Sequence, residues 1–233
     1  IAIVTVACPP AAWLADWIGG RGPLRLVYPS GTLWNGSALL GIDDGRDLRL
    51  VPGRLHWRAD WAALRTGRLA ISLRHPALDA AVGVAWTGRA LAVTGGTLQL
   101  PAATLVAAGA PFNTVRPGGR LRAHWSQLVV TAAGFGGTID ADWTDAQSVL
   151  SPIAPLGDFH LTARGSGERA ETRVSTLAGP LRIDGRGTLA DGRFHFTGTA
   201  DASPEMRASL DGLIGVLGRR TGNGVILDWE LVR

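Results

Sequence analysis

Gly31-Thr32-Leu33-Trp34-Asn35-Gly36 returns in diluted form sixty-five residues later, where Gly96-Thr97-Leu98 repeats its opening. Pro52-Gly53 returns at the same interval as Pro117-Gly118. One glycine later, Arg54-Leu55-His56-Trp57 is echoed by Arg120-Leu121-Arg122-Ala123-His124-Trp125. A recurring turn, strand and tryptophan marks a repeated supersecondary unit whose apolar face needs a neighbour to cover it. The expectation is a mainly β fold: curved antiparallel sheets built from two similar units, 24–90 and 91–150, with a few short helices.

Outward from that stretch, apolar and polar residues alternate with period two, the pattern of a half-buried strand. The run Leu24 to Tyr28 and the run Gly31 to Leu40 read as strands, followed by a polar turn at Asp43 to Asp47. Asp47 to Val51, Arg54 to Arg58, Leu69 to Leu73, Ala80 to Trp86 and Arg89 to Thr94 continue the pattern. Arg120 to Val130, Gly137 to Trp143, Asp158 to Arg164, Ala170 to Leu177 and Val225 to Leu231 complete it. Leu181 to Leu189 and Arg193 to Ala200 form a hairpin, with Asp191-Gly192 supplying the positive-φ reversal. Asp60 to Arg65 reads as one helical turn, and Pro101 to Gly109 as a short helix opened by proline. A clear helix follows Ser203, which reads as its cap ahead of Pro204. Met206, Leu210, Leu213, Ile214 and Leu217 form its stripe, and Gly218 its stop.

Composition supports this architecture. Of 233 residues, 32 are glycine and 13 proline, a punctuation suited to short strands and turns. The 46% hydrophobic content is enough for a real core. All 23 basic residues are arginine, yet the net charge is only +4. They are scattered along the strands rather than clustered, which argues against a nucleic-acid interface. Cys8 is the single cysteine, so no intrachain disulfide forms.

The segment 1–18 carries one charge, Asp16, and opens Ile1-Ala2-Ile3-Val4-Thr5-Val6-Ala7-Cys8. Without an initiator methionine or a basic flank, it reads as the tail of a longer apolar segment. Three readings compete: a membrane anchor with Trp13 and Trp17 at the interface, a cleaved or lipoprotein signal around Cys8, and a buried strand. The anchor is favoured. Residues 19–233 then form the β-rich body.

Catalytic chemistry is hard to find in this chain. His56, His124, His160 and His195 fall on the polar sides of strands, and His75 precedes Pro76 in a loop. Solvated positions account for all five. Asp140 and Asp142 share a strand face, an arrangement open to an acid pair and equally to a solvated surface. No nucleophile elbow, phosphate loop, zinc motif or dinucleotide fingerprint occurs. The expectation is a non-enzyme, with no catalytic, cofactor-binding or metal-ligating residue, no cofactor and no small-molecule substrate. The nine tryptophans read chiefly as core fillers, the alternative being a groove for lipid or a partner.

Several of these motifs, taken in order, resemble the type II secretion system protein N family. They are Pro10-Ala11-Ala12-Trp13-Leu14, then Gly31 to Ala38, then Pro52-Gly53-Arg54-Leu55-His56-Trp57-Arg58 and Trp61 to Leu69. Ser203 to Leu217 with Gly222-Asn223-Gly224 resembles the family's terminal helix and closing strand. The resemblance implies a single-pass inner-membrane protein of a Gram-negative bacterium with its bulk in the periplasm. It implies a non-enzymatic component assisting export of folded proteins through the outer-membrane secretin, with other secretion subunits as partners. The rival expectation from the residues is a lipid-handling periplasmic protein with a tryptophan-lined groove.

Overall fold

The computed structural model describes residues 9–19, 24–43, 48–65, 67–108, 112–190, 192–221 and 224–232. The apolar start Ile1 to Cys8, the break Gly20 to Pro23, most of the Asp43 to Asp47 turn, Asp191 and Gly222-Asn223 lie outside them. The fold is mainly β and antiparallel, with short helices including one near the C-terminus. It comprises two compact units divided between Leu98 and Gln99.

The first unit begins with helix α1 (Ala11–Gly19) and contains a meander of six strands. These are β1 (Leu24–Gly31), β2 (Asn35–Asp43), β3 (Leu48–Asp60), β4 (Leu69–Arg74), β5 (Val82–Trp86) and β6 (Leu91–Val93). Each pairs with its successor, as expected where short turns leave no room for a crossover. Helix α2 (Trp61–Leu64) is a single turn between β3 and β4. The Asp60 carboxylate caps it, accepting from the Ala62 N–H at 2.9 Å.

Two stretches read as separate strands in the sequence, Asp47 to Val51 and Arg54 to Arg58, are one strand here. Pro52-Gly53 sits inside β3 as a bulge: Leu39 faces Arg54 while Gly41 faces Leu50. Gly53 has φ +106°, and Pro76 packs so closely that a Cβ there would come within 2.8 Å of its ring. Glycine is required at that point on both counts.

The opening Gly31-to-Gly36 stretch has a clear structural role, to receive Trp57. That indole is 2% exposed, and its N–H donates to the carbonyls of Thr32 and Leu33, both at 3.1 Å. Its ring covers Gly36, where a Cβ would lie 2.5 Å from the ring edge. The Thr32 hydroxyl accepts from the Asn35 N–H at 3.1 Å and so holds the turn. Trp57 joins Ala11, Leu26 and Ala38 in a cluster on which Leu14, Ala15 and Ile18 of α1 pack. In the second unit the indole that bonds a strand carbonyl is Trp143, to Gly118 at 2.8 Å, while Trp125 is half-buried.

Strand β7 (Gly96–Pro101) runs through the division, and a 3-10 helix (Ala102–Ala108) and helix α3 (Phe112–Val115) follow. The expected helix from Pro101 is therefore a tighter 3-10 turn starting one residue later. The remaining strands are β8 (Pro117–Trp125), β9 (Leu128–Val130), β10 (Phe135–Ser148), β11 (Gly157–Gly167), β12 (Ala170–Ala178), β13 (Leu181–Ala190), β14 (Arg193–Ala202), β15 (Arg219–Thr221) and β16 (Gly224–Val232). Their order is β8 and β9 beside β10, then β11, β12, β13, β14, β16 and β15. The β13–β14 hairpin closes with Ala190 opposite Arg193 and Gly192 at φ +73°. Arg120 to Val130, read as one strand, divides into β8 and β9, because Ser126 turns to bond Thr138 across the ladder.

Helix α4 (Arg207–Leu217) covers the apolar face of the strands of this second unit. Leu210, Leu213, Ile214 and Leu217 pack on Phe159, Leu181, Phe196, Ala200, Val225 and Leu227. Two expectations about its start are corrected. Ser203 makes no side-chain cap, and Pro204–Met206 is a 3-10 turn that leaves Met206 38% exposed, off the stripe. The Ser203 backbone is occupied instead, its N–H donating to Pro180 and its carbonyl accepting from Met206. Full burial of a leucine contributes about 1.5–3 kcal/mol. The four stripe residues therefore fix the helix without help from a cap.

Two outcomes test this packing. Leu213→Ala is expected to lower unfolding stability by about 2–5 kcal/mol in urea titration; a loss below about 1 kcal/mol would mean that α4 does not cover the sheet. Gly36→Ala should destabilise by about 1–3 kcal/mol by pushing Trp57 from its seat, with the shift visible in tryptophan fluorescence.

Candidate functional site

The polar faces and the strand edges hold the exposed chemistry. On the second unit's polar face, charges interleave across strands. Asp142 on β10 lies opposite Arg122 on β8 and His160 on β11, and the His160 Nδ1 is 2.7 Å from its carboxylate. Asp140 lies opposite His124 and Thr162. His195 Nε2 is 2.8 Å from the Asp228 carboxylate on β16. Three of the five histidines and both aspartates of the sequence-predicted pair thus sit in cross-strand pairings. Asp140 and Asp142 are each matched to a histidine in the adjoining strand, the ordinary cross-strand stabilisation of a solvated sheet face.

His75 departs from expectation. It is 7% exposed rather than solvated. Its Nδ1 accepts from the Ala77 N–H at 3.0 Å, fixing the turn after β4. Its Nε2 is enclosed near Gly53, 3.3 Å from where a Cβ on that glycine would stand. Desolvation lowers its pKa below the ordinary histidine value, against an opposing backbone contribution from Gly53, and nearby His56 lowers it further. The only sequence signal for this burial is the pairing of Pro52-Gly53 with His75-Pro76, two turn motifs that interlock in space.

Bulges place two further polar groups. Tyr28, at φ +51°, interrupts the β1–β2 register; its carbonyl accepts from Arg54 at 3.0 Å. Asp145, also at φ +51°, shifts β10 so that Trp143 and the buried Ala146 share one face. The Asp158 carboxylate holds the Asp145 N–H at 2.9 Å, and Arg120 pairs with the Asp145 carboxylate at 2.5 Å.

The edges differ. β1 is tied to the helix beside it: Pro10 bridges Thr32, the Leu33 N–H donates to Pro9 at 2.8 Å, and Arg25 donates to the Gly19 carbonyl at 2.6 Å. At the other end, β15 pairs with only the first residues of β16, Gly224 to Ile226. From Leu227 onward, the outer side of β16 meets no strand among the described residues. No cluster of three or more metal-type ligands occurs among them, and no helix among them is long and apolar enough to cross a membrane.

The tryptophans divide between roles. Trp57 is core, and Trp143 and Trp229 pack against the second core. Trp229 stacks on Phe196 with centroids 5.3 Å apart. Trp13, Trp17, Trp61 and Trp86 are exposed.

An open antiparallel sheet with helices on its apolar face and charged groups on the other defines a mainly β protein. The chain belongs to the type II secretion system protein N family, whose model matches residues 22–227. That family is one of secretion-system components, which places the chain in protein transport. Neither the curated proteins nor the solved structures contain a match to it.

The buried imidazole predicts a pH dependence. Above the ordinary histidine pKa, about 6.5, His75 is neutral in both states and contributes no slope. Between that value and its lower folded value, the unfolded chain takes up a proton that the folded chain refuses. Stability therefore falls as pH falls through this window. Thermal melts from about pH 7.5 to about pH 5.5 are expected to show this decline in the wild type and a shallower one in His75→Gln; equal slopes would remove His75 as the cause.

Proposed function

We propose that this chain is a non-enzymatic, membrane-tethered periplasmic component that assists export of folded proteins through the outer-membrane secretin by contacting other secretion subunits. Family membership supports the setting. The single observation that supports the mode of action is the outer edge of β16, unpaired from Leu227 onward among the described residues. An exposed strand edge offers a row of backbone donors and acceptors to an incoming strand, and side-chain contacts then set specificity. Helix α4 stands behind this edge: the Trp229 indole donates to the Leu217 carbonyl at 3.2 Å, so the strand is held rigid for docking. Rigidity lowers the ordering cost of association.

The tether is assigned to the apolar 1–18 segment. Its described part, α1, turns Ala11, Leu14, Ala15 and Ile18 to the sheet and leaves Trp13 and Trp17 about three-fifths exposed. Tryptophans in such positions suit a membrane–water interface. The lipid-groove reading has less support, because Trp143 and Trp229 are engaged in the core rather than lining a channel.

A photo-cross-linking amino acid at Glu230, exposed on β16, is expected to capture a platform or secretin subunit in intact envelopes. The same probe at Arg186, in the interior of the sheet, is expected to capture none. Absence of any secretion-subunit adduct from Glu230 would overturn the edge-docking reading.

A further inference from the structure

The outer side of β16 brings free backbone groups and carboxylates to the same two residues. Successive strand residues aim their N–H and C=O groups at opposite edges. The Ile226 carbonyl points toward β15, where a Cβ on Gly218 would collide with it. By that alternation Asp228 and Glu230 turn their backbone groups to the same outer edge, while those of Leu227 and Trp229 serve β14. Strand β15 ends its pairing at Ile226, opposite Arg219, and supplies no residue to meet them. Both acidic side chains are exposed. The Asp228 carboxylate bonds His195 on the inner side. Glu230 has no hydrogen-bond or ion-pair partner among the described residues. Two arginines share this face, but Arg219 stands opposite Ile226 and Arg193 opposite Val232, neither opposite an acid. The other face of the strand is apolar: Leu227 is buried and Trp229 packs on the core that holds the α4 stripe.

We infer, resting on the edge-docking reading above, that this edge receives a basic strand: an extended segment of a partner protein with lysine or arginine at two alternate positions and apolar residues between them. Residues directly opposite in an antiparallel pair share a face; opposite charges there stabilise the pair and like charges destabilise it. A second copy of this chain is disfavoured on that ground. Antiparallel pairing of β16 with itself sets Asp228 against Asp228, Asp228 against Glu230, or Glu230 against Glu230 in every register that engages both acids within the free stretch. An acidic strand fails for the same reason. A basic strand meets a carboxylate at each position where it also finds free backbone groups, and its intervening apolar residues fall on the side of Trp229 and α4. A slip by one residue would turn both cations to the apolar face, so the charges also fix register.

The test titrates the full chain into a short fluorescein-labelled peptide alternating lysine with valine, read by anisotropy at about 50 mM and about 300 mM salt. Binding is expected for this peptide and not for its counterpart with glutamate in place of lysine. Glu230→Lys should weaken it at least about tenfold and Glu230→Gln partly. The control Glu168→Lys changes net charge equally, in the turn between β11 and β12, and should bind as wild type. Methylating the backbone nitrogens of the peptide's lysines should abolish binding, because a paired strand needs those donors. Circular dichroism checks that each variant is folded. No binding by the wild type would overturn the inference. So would equal binding of the glutamate peptide or the methylated one, or equal loss in Glu168→Lys. Envelope adducts at Glu230 beside such a result would keep the docking edge and discard the basic occupant. Peptide binding without adducts would do the reverse, so the two proposals fail separately.

Discussion

A sheet with one apolar face must have that face covered, and each unit of this protein meets the demand with a single helix of about ten residues. Such helices are too short to be stable alone. Their order comes from what they bury: Ala11, Leu14, Ala15 and Ile18 on the strands of the first unit, Leu210, Leu213, Ile214 and Leu217 on those of the second. Everything else follows from that arrangement. The opposite face stays largely polar, and the strands alternate except where bulges at Tyr28, Pro52-Gly53 and Asp145 shift the register.

Close approach of aromatic rings to glycine is the second recurring device. Trp57 lies over Gly36, Phe135 over Gly165, Phe196 over Gly185 and Phe194 over Gly187, each where a Cβ would intrude below 3 Å. Glycine within a strand costs conformational entropy. Here the loss is offset by a ring that settles onto the neighbouring backbone and buries a large apolar area. Gly36, Gly165, Gly185 and Gly187 all lie inside strands, so turns do not explain glycine at these four positions.

The functional reading follows from where polar groups go unmet. In the second unit several rows pair opposite groups, Asp142 with His160, Asp228 with His195 and Glu171 opposite Arg164, while Arg173 faces Arg186. The first unit has its own ion pair, Arg25 with Asp43 at 3.0 Å. Backbone groups go unmet among the described residues on the outer side of β16 from Leu227 onward.

Period-two alternation and turn residues were enough to determine the antiparallel β character, the β13–β14 hairpin and the α4 stripe, because a strand face or helix stripe is a local consequence of side-chain geometry. The ordered motifs likewise carried the family resemblance. Tertiary structure alone decided what depends on distant partners. Pro52-Gly53 became a bulge within β3 because β2 continues to pair on both sides of it. His75 became buried because Gly53, more than twenty residues earlier, comes to lie against it. Ser203 makes no side-chain cap; its backbone instead joins Pro180, and the chain opens with a 3-10 turn over Pro204–Met206. No local pattern encodes such encounters: they arise when segments far apart in the chain compete for the same backbone groups and the same space.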